Sequence, residues 1–98
     1  MEWQFHPEAE AEFIESAAYY EREVPGLGRS FGRVVSEALE LLAANPAIGS
    51  PLNGELRSFV LGSFPYSLIY APHGNLIFVL AIAHSRRRPG YWKARSPI

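Results

Sequence analysis

Residues 64–84 read FPYSLIYAPHGNLIFVLAIAH: two runs rich in aromatic and β-branched residues, broken at Pro72-His73-Gly74. Phe64 to Ala71 and Asn75 to Ala83 are each of strand length, and the break between them is of hairpin length. Leu76 to Ala83 carries no polar residue, so it reads as a central strand with apolar side chains on both faces. Periodicity alone would also allow a buried helix, but length and β-branched content favour a strand. Upstream, Gly62-Ser63 separates this pair from a third run, Glu55 to Leu61, and the three together form an antiparallel meander.

Toward the N-terminus the period changes. Phe31, Val34, Val35, Ala38, Leu39, Leu41 and Leu42 form a wide helical stripe that ends at Asn45-Pro46, because a residue before proline is pushed out of helical geometry. Pro46, Gly49, Pro51 and Gly54 then mark a loop. Before the stripe, Ala9, Phe13, Ala17, Tyr20 and Val24 recur every three to four positions, with Glu8, Glu10 and Glu12 in the first turns and Pro25-Gly26 as the stop. Trp3 to Phe5 is a short strand ended by His6-Pro7. The fold class is therefore α+β, in the order β-α-α-β-β-β, with an αα-hairpin on one face of a mainly antiparallel sheet and a short basic tail. A helix of about 17 residues and a strand of about eight both span ~25 Å, so two helices cover one face. Only the tail from Ser85 onward and the first strand's flanks are left to shield the other face. An apolar sheet surface of that kind is expected to receive a partner.

The chain has 98 residues, 48% of them hydrophobic and 19% charged, which suits a single domain over residues 1–98. Its eight-residue apolar run is far short of the roughly 20 needed to span a membrane, and no signal-like stretch opens the chain. With no cysteine there is no disulfide framework and no thiolate chemistry, so a reducing cytoplasm is the expected compartment. The net charge of −1 conceals an asymmetry. Residues 1–40 hold nine Glu against three Arg, net −6, and residues 41–98 hold Glu55 against five Arg and Lys93, net +5. The absence of Asp weakens calcium-loop, magnesium-cluster and Ser-His-Asp chemistry.

Glu8, Glu12 and Glu15 share a helix face but have no His beside them, and they read as a solvated acidic face rather than a metal or acid–base site. Gly26, Gly28 and Gly32 miss the dinucleotide fingerprint by one residue and read as a turn leading into a helix. No zinc spacing or phosphate loop is present, so neither metal nor cofactor is expected. His6 and His73 sit at turn edges. His84 follows the apolar strand and precedes Arg86-Arg87-Arg88, which places a group that titrates near neutral pH beside fixed positive charge. The densest feature is Arg86-Arg87-Arg88-Pro89-Gly90-Tyr91-Trp92-Lys93-Ala94-Arg95, where five cations surround two aromatics. Such a segment can grip phosphates while stacking on bases or side chains, or it can fold Tyr91 and Trp92 back onto the sheet.

The order of elements, Phe64-Pro65-Tyr66-Ser67-Leu68-Ile69-Tyr70, the strand Leu76 to Ala83, and His84-Ser85-Arg86-Arg87-Arg88-Pro89-Gly90-Tyr91-Trp92 resemble the RelE/ParE superfamily of type II toxin–antitoxin toxins. The likeness covers nearly the whole chain, including Asn45-Pro46 and Gly49-Ser50-Pro51. It implies a small growth-arresting toxin, of the kind found in plasmid-stabilisation modules, that is neutralised in a hetero-oligomer by a cognate antitoxin. An acidic, amphipathic antitoxin segment would order on binding the basic half. Phe59, Leu61, Tyr66, Leu68 and Tyr70 are the expected antitoxin-binding residues.

The superfamily's branches imply different targets. RelE-like members are ribosome-dependent mRNA endonucleases with clustered Lys, Arg and Tyr. By matching position Arg57, His84, Arg86, Arg88 and Tyr91 would form such a site here. The set is thin, since only Arg57 stands in the central strands and the single lysine, Lys93, lies in the tail. ParE-like members instead poison DNA gyrase without a nuclease site of their own. The chain is read as nearer ParE, with Arg86, Arg87, Arg88, Tyr91, Trp92 and Lys93 as the target-binding surface. The alternatives are the RelE-type nuclease, acting on ribosome and mRNA, and a non-toxic homologue that binds antitoxin.

Overall fold

The computed structural model describes residues 1–95. Strand β1 (Glu2–Phe5) leads into helix α1 (Pro7–Glu23) and helix α2 (Leu27–Ala44). Strands β2 (Ser50–Pro51), β3 (Arg57–Val60), β4 (Tyr66–His73) and β5 (Leu76–His84) follow, then a 3-10 turn, Tyr91–Ala94. The sheet runs β1-β5-β4-β3-β2, with β1 parallel to β5 and all other neighbours antiparallel. This is the α+β arrangement expected from the periodicities, with three local differences.

Ser50–Pro51 is an added edge strand inside the expected loop, paired with Ser58 and Arg57. Two residues carry too little pattern to be read as a strand. Strand β3 is shorter than the run from Glu55 to Leu61. Pro72 and His73 belong to β4, and the turn is Gly74-Asn75, with Gly74 at φ 59°. Pro72 is tolerated there because β3 pairs with β4 only as far as Tyr70, leaving that side of β4 without a partner strand.

Helix α1 starts as its sequence directs. The His6 Nδ1 accepts the Glu8 N–H at 3.0 Å, Pro7 occupies the first turn, and Glu8 and Glu10 face the positive helix end. His6 is thus a helix cap rather than a bland loop edge. Between the helices Gly26 takes φ 90°, which a side chain would resist. The Glu21 carboxylate accepts the Gly26 N–H at 2.8 Å and the Gly28 N–H at 3.0 Å, pairing donors that the start of α2 would otherwise leave open. Those hydrogen bonds, that from Gly26 foremost, hold its carboxyl below the ordinary value.

The main core lies between the helices and one sheet face. Phe31, Val35, Leu39 and Leu42 of α2 meet Tyr66, Leu68 and Tyr70 of β4 and Ile77, Val79 and Ile82 of β5, with Phe13 and Tyr20 of α1 packed alongside. A bulge interrupts the β4–β5 register: Tyr70 faces Val79, but Ile69 faces Ala81. The extra residue is Leu80, and the bulge places Leu80 and Ala81 consecutively on the second face, with Phe78, Ala83 and Ile69.

That second face is not bare. Tyr91, Trp92 and Leu56 pack against it, and Leu80 and Ala81 retain 2% and 0% of their exposure. The expected open docking sheet is therefore corrected: the tail folds back and covers it. Burying two large aromatics together with the apolar side chains beneath them removes both surfaces from water at once.

Candidate functional site

The cationic segment begins where β5 ends. Ser85 N–H donates to the Pro65 carbonyl at 2.8 Å and Arg87 N–H to the His84 carbonyl at 3.0 Å. The His84 Nδ1 accepts the Arg86 N–H at 3.0 Å, and its ring stands edge-on to Tyr66 with 4.9 Å between centroids. These contacts turn the chain out of the sheet, so that Arg86, Arg87, Arg88 and Pro89 project as an exposed loop. None of the three arginines forms an ion pair among the described residues. Gly90, at φ 78°, then reverses the chain into the 3-10 turn.

The far end of the loop is held by Glu12. One of its carboxylate oxygens, Oε1, accepts the Ile82 N–H at 2.9 Å and Arg95 Nη1 at 3.1 Å. The other, Oε2, accepts Arg95 Nη2 at 2.8 Å and the Tyr91 hydroxyl at 2.7 Å. Arg95 Nη1 also donates to the Leu80 carbonyl at 3.0 Å. The two charged side chains keep only 8% (Arg95) and 14% (Glu12) of their exposure. This is a bidentate pair with every near donor satisfied, a stronger arrangement than an exposed ion pair.

Burial alone would raise the Glu12 carboxyl. The hydrogen bonds from Arg95, Tyr91 and Ile82 outweigh it and hold the group below the ordinary value. Burial, together with the hydrogen bond to Glu12, pushes the Tyr91 hydroxyl well up, so it stays a neutral donor. The hydrogen bond to Glu12 likewise raises Arg95. Tyr91 also receives the Arg87 guanidinium on its ring face, 3.9 Å from the centroid.

The sequence-predicted residues fall into three places. Arg86, Arg87, Arg88 and Lys93 are exposed, and Trp92 is half-buried beside them. Trp92, Lys93, Pro89 and Gly90 line an open groove of about 420 Å³ together with Leu52, Asn53 and Leu56. Arg57 lies elsewhere. It pairs with Tyr70 while His84 pairs with Tyr66, four residues or about 13 Å apart along β4. The Arg57 guanidinium donates to the Ala47 carbonyl at 3.0 Å and the Gly49 carbonyl at 2.7 Å, pinning the loop after α2. Of the nuclease set, His84, Arg86, Arg88 and Tyr91 thus lie along one loop and its ends, and Arg57 is not brought to them.

Of the expected antitoxin-binding residues, three are buried and two half-buried. Strand alternation turns Tyr66, Leu68 and Tyr70 under the helices, where they are buried, and Phe59 and Leu61 pack at the edge of the same core. Tyr66, Leu68 and Tyr70 are thus closed off from a partner by the chain's own helices, and Phe59 and Leu61 stay partly exposed. Tyr70 instead clamps a loop, donating to the Pro46 carbonyl at 2.8 Å and accepting the Gly49 N–H at 3.0 Å. The pairing of Glu12 with Arg95 has no signature in the sequence. Glu12 reads as one of several similar helix glutamates, and nothing local links it to a residue 83 positions away.

Comparison with known proteins agrees with this architecture. A chain of the chromosomal ParDE toxin–antitoxin system from P. aeruginosa superposes with a TM-score of 0.73 at 22% identity, over 86% of this chain and 95% of that one. At that identity the likeness is one of fold. None of the curated proteins matches the chain. The family model described as "ParE toxin of type II toxin-antitoxin system, parDE" matches residues 4–89, from β1 through the cationic loop. The chain therefore belongs to the ParE toxin family of type II toxin–antitoxin systems.

Proposed function

We propose that this protein acts in the cytoplasm as a ParE-type toxin that poisons DNA gyrase, with Arg86, Arg87, Arg88 and Lys93 making the target contact and the exposed edge of Trp92 beside them. The observation that carries this reading is the loop after β5: three consecutive exposed arginines, unpaired among the described residues and set at the end of the central strand. A cluster of that kind attracts and orients a negatively charged partner. Phosphodiester cleavage needs a base, an acid and charge stabilisation held together. Here Arg57 is engaged with loop carbonyls and the Tyr91 hydroxyl with Glu12, which supports binding over catalysis.

Purified protein is expected to block gyrase supercoiling or trap cleaved DNA at micromolar concentration. The variant carrying Arg86→Ala, Arg87→Ala and Arg88→Ala is expected to lose that effect. Unimpaired supercoiling with the wild-type protein removes gyrase as the target, and new 5′ ends on translated mRNA would transfer the assignment to a ribosome-dependent nuclease. Neutralisation is assigned to a cognate antitoxin whose acidic segment is drawn to the basic second half. Co-expression of a cognate antitoxin with such an acidic segment is expected to restore growth. Normal growth on expression of the toxin alone would leave only antitoxin binding.

A further inference from the structure

We propose that Glu12 is a positioning residue for the target contact: through Tyr91 and Arg95 it closes the loop Arg86–Gly90 against β5 and presents Arg87 in one orientation. The inference rests on the reading that these arginines meet the target.

Three observations carry it. First, the loop is fixed at both ends by different elements. His84 and Pro65 hold its start. Glu12, reaching across from α1, holds the residues just beyond its end through Tyr91 and Arg95. Second, the anchor occupies a place where the sheet lacks a strand. The β1–β5 register stops at Phe5 and Val79, and past it the Ile82 N–H and the Leu80 carbonyl are paired with Glu12 and Arg95 in place of a strand neighbour. A buried backbone donor and acceptor there need partners: the Ile82 N–H fixes the Glu12 carboxylate against β5, and the tail cannot drift without leaving the Leu80 carbonyl unpaired. Third, Tyr91 touches both the anchor and the exposed cation. Its hydroxyl donates to Glu12 while its ring carries the Arg87 guanidinium.

A loop of five residues with three long cations loses considerable freedom on docking unless it is already ordered, and ordering it beforehand favours binding. The Glu12 carboxylate supplies that order from outside the loop.

The test compares Glu12→Gln, Tyr91→Phe and the triple arginine-to-alanine variant with the wild type by gyrase inhibition and by NMR. Tyr91→Phe keeps the ring under Arg87 and removes only the hydrogen bond to Glu12. In Glu12→Gln and Tyr91→Phe the amides of residues 86–90 are expected to gain fast mobility. The ring-shifted Arg87 side-chain protons are expected to move toward random-coil positions, and inhibition is expected to fall about tenfold. Full inhibition by both variants despite a loosened loop overturns the inference, as does an unchanged loop. Should Glu12→Gln not fold, Tyr91→Phe carries the same comparison. If the triple variant inhibits as well as the wild type, the target reading fails instead, and the NMR comparison alone decides whether Glu12 orders the loop.

Discussion

Glu12 and Arg95 show how much one residue's surroundings change its part in the molecule. Glu8, four positions away on the same helix face, is largely exposed and stands 3.6 Å from Arg95, whereas Glu12 is almost enclosed. Removing one member of a buried pair leaves the other charge uncompensated. Glu12→Ala is therefore expected to lower unfolding free energy by about 3 kcal/mol, read by urea denaturation. The same site gives an acid response. The Glu12 carboxyl lies below its unfolded value of 4.5, so its stabilising contribution is complete above that value and is lost as pH falls through the lower, folded one. Melting temperature is expected to drop as the solution is taken below pH 4.5, and Glu12→Gln is expected to flatten that slope. Glu21, also lowered by its hydrogen bonds, Gly26 foremost, adds in the same direction, weakened by its exposure to solvent.

Gly49 is constrained from a different direction. A Cβ on it would stand 2.7 Å from the Tyr70 hydroxyl and 3.0 Å from the Ser58 carbonyl oxygen. Gly49→Ala is expected to destabilise by about 1–3 kcal/mol, because the Tyr70 clamp must shift to admit it. Tyr70→Phe should produce a similar loss by leaving the Pro46 carbonyl and the Gly49 N–H without their partner, at about 1–3 kcal/mol.

Between elements, the α1–α2 contact depends on Gly28, where a Cβ would strike the Ala17 carbonyl and the Glu21 side chain. Beyond it, Phe31 fills the centre of an aromatic cluster. Its ring centroid is 5.8 Å from Phe13, 5.4 Å from Tyr20, and 5.1 Å from both Phe64 and Tyr66. Phe31→Ala is expected to lower stability by about 3–5 kcal/mol in a denaturant titration, since that cluster cannot collapse into the void. Both helices were legible in the sequence because each spans enough residues for its period to show, and the last three strands because of the length and β-branched and aromatic content of their runs and the turn residues between them. Strand β2 was not, being two residues long, and neither was the strand state of Pro72. That proline is accommodated only because β3 stops short of it, a fact of pairing rather than of local propensity.

For the molecule as a whole, the decisive feature is the covering of the second sheet face. Ile69, Phe78, Leu80, Ala81 and Ala83 are buried there under Tyr91, Trp92 and Leu56. A chain ending at Arg88 is expected to expose this patch, to bind a hydrophobic dye strongly and to self-associate on size-exclusion chromatography. Monomeric, dye-free behaviour of that truncated chain would show that the tail is dispensable for covering the face. The same enclosure leaves the cationic loop and the groove beside it, rather than the second sheet face, exposed at this end of the molecule. It also explains why three arginines stand directly after a core strand. They are the exposed part of a segment whose flanking residues face inward.

The sequence by itself determined the kinds and order of the principal elements, the acidic-to-basic charge division and the family likeness, because periodicity, turn chemistry and charge are written in residues close together along the chain. Only the tertiary structure decided which sheet face the tail closes, that Arg57 and His84 stay apart, and that one of nine glutamates in the first forty residues becomes the tail's anchor. Those outcomes depend on strand register and on a bulge that adds one residue to β5. Pairings such as Glu12 with Arg95, 83 positions apart, leave no local trace in composition or spacing.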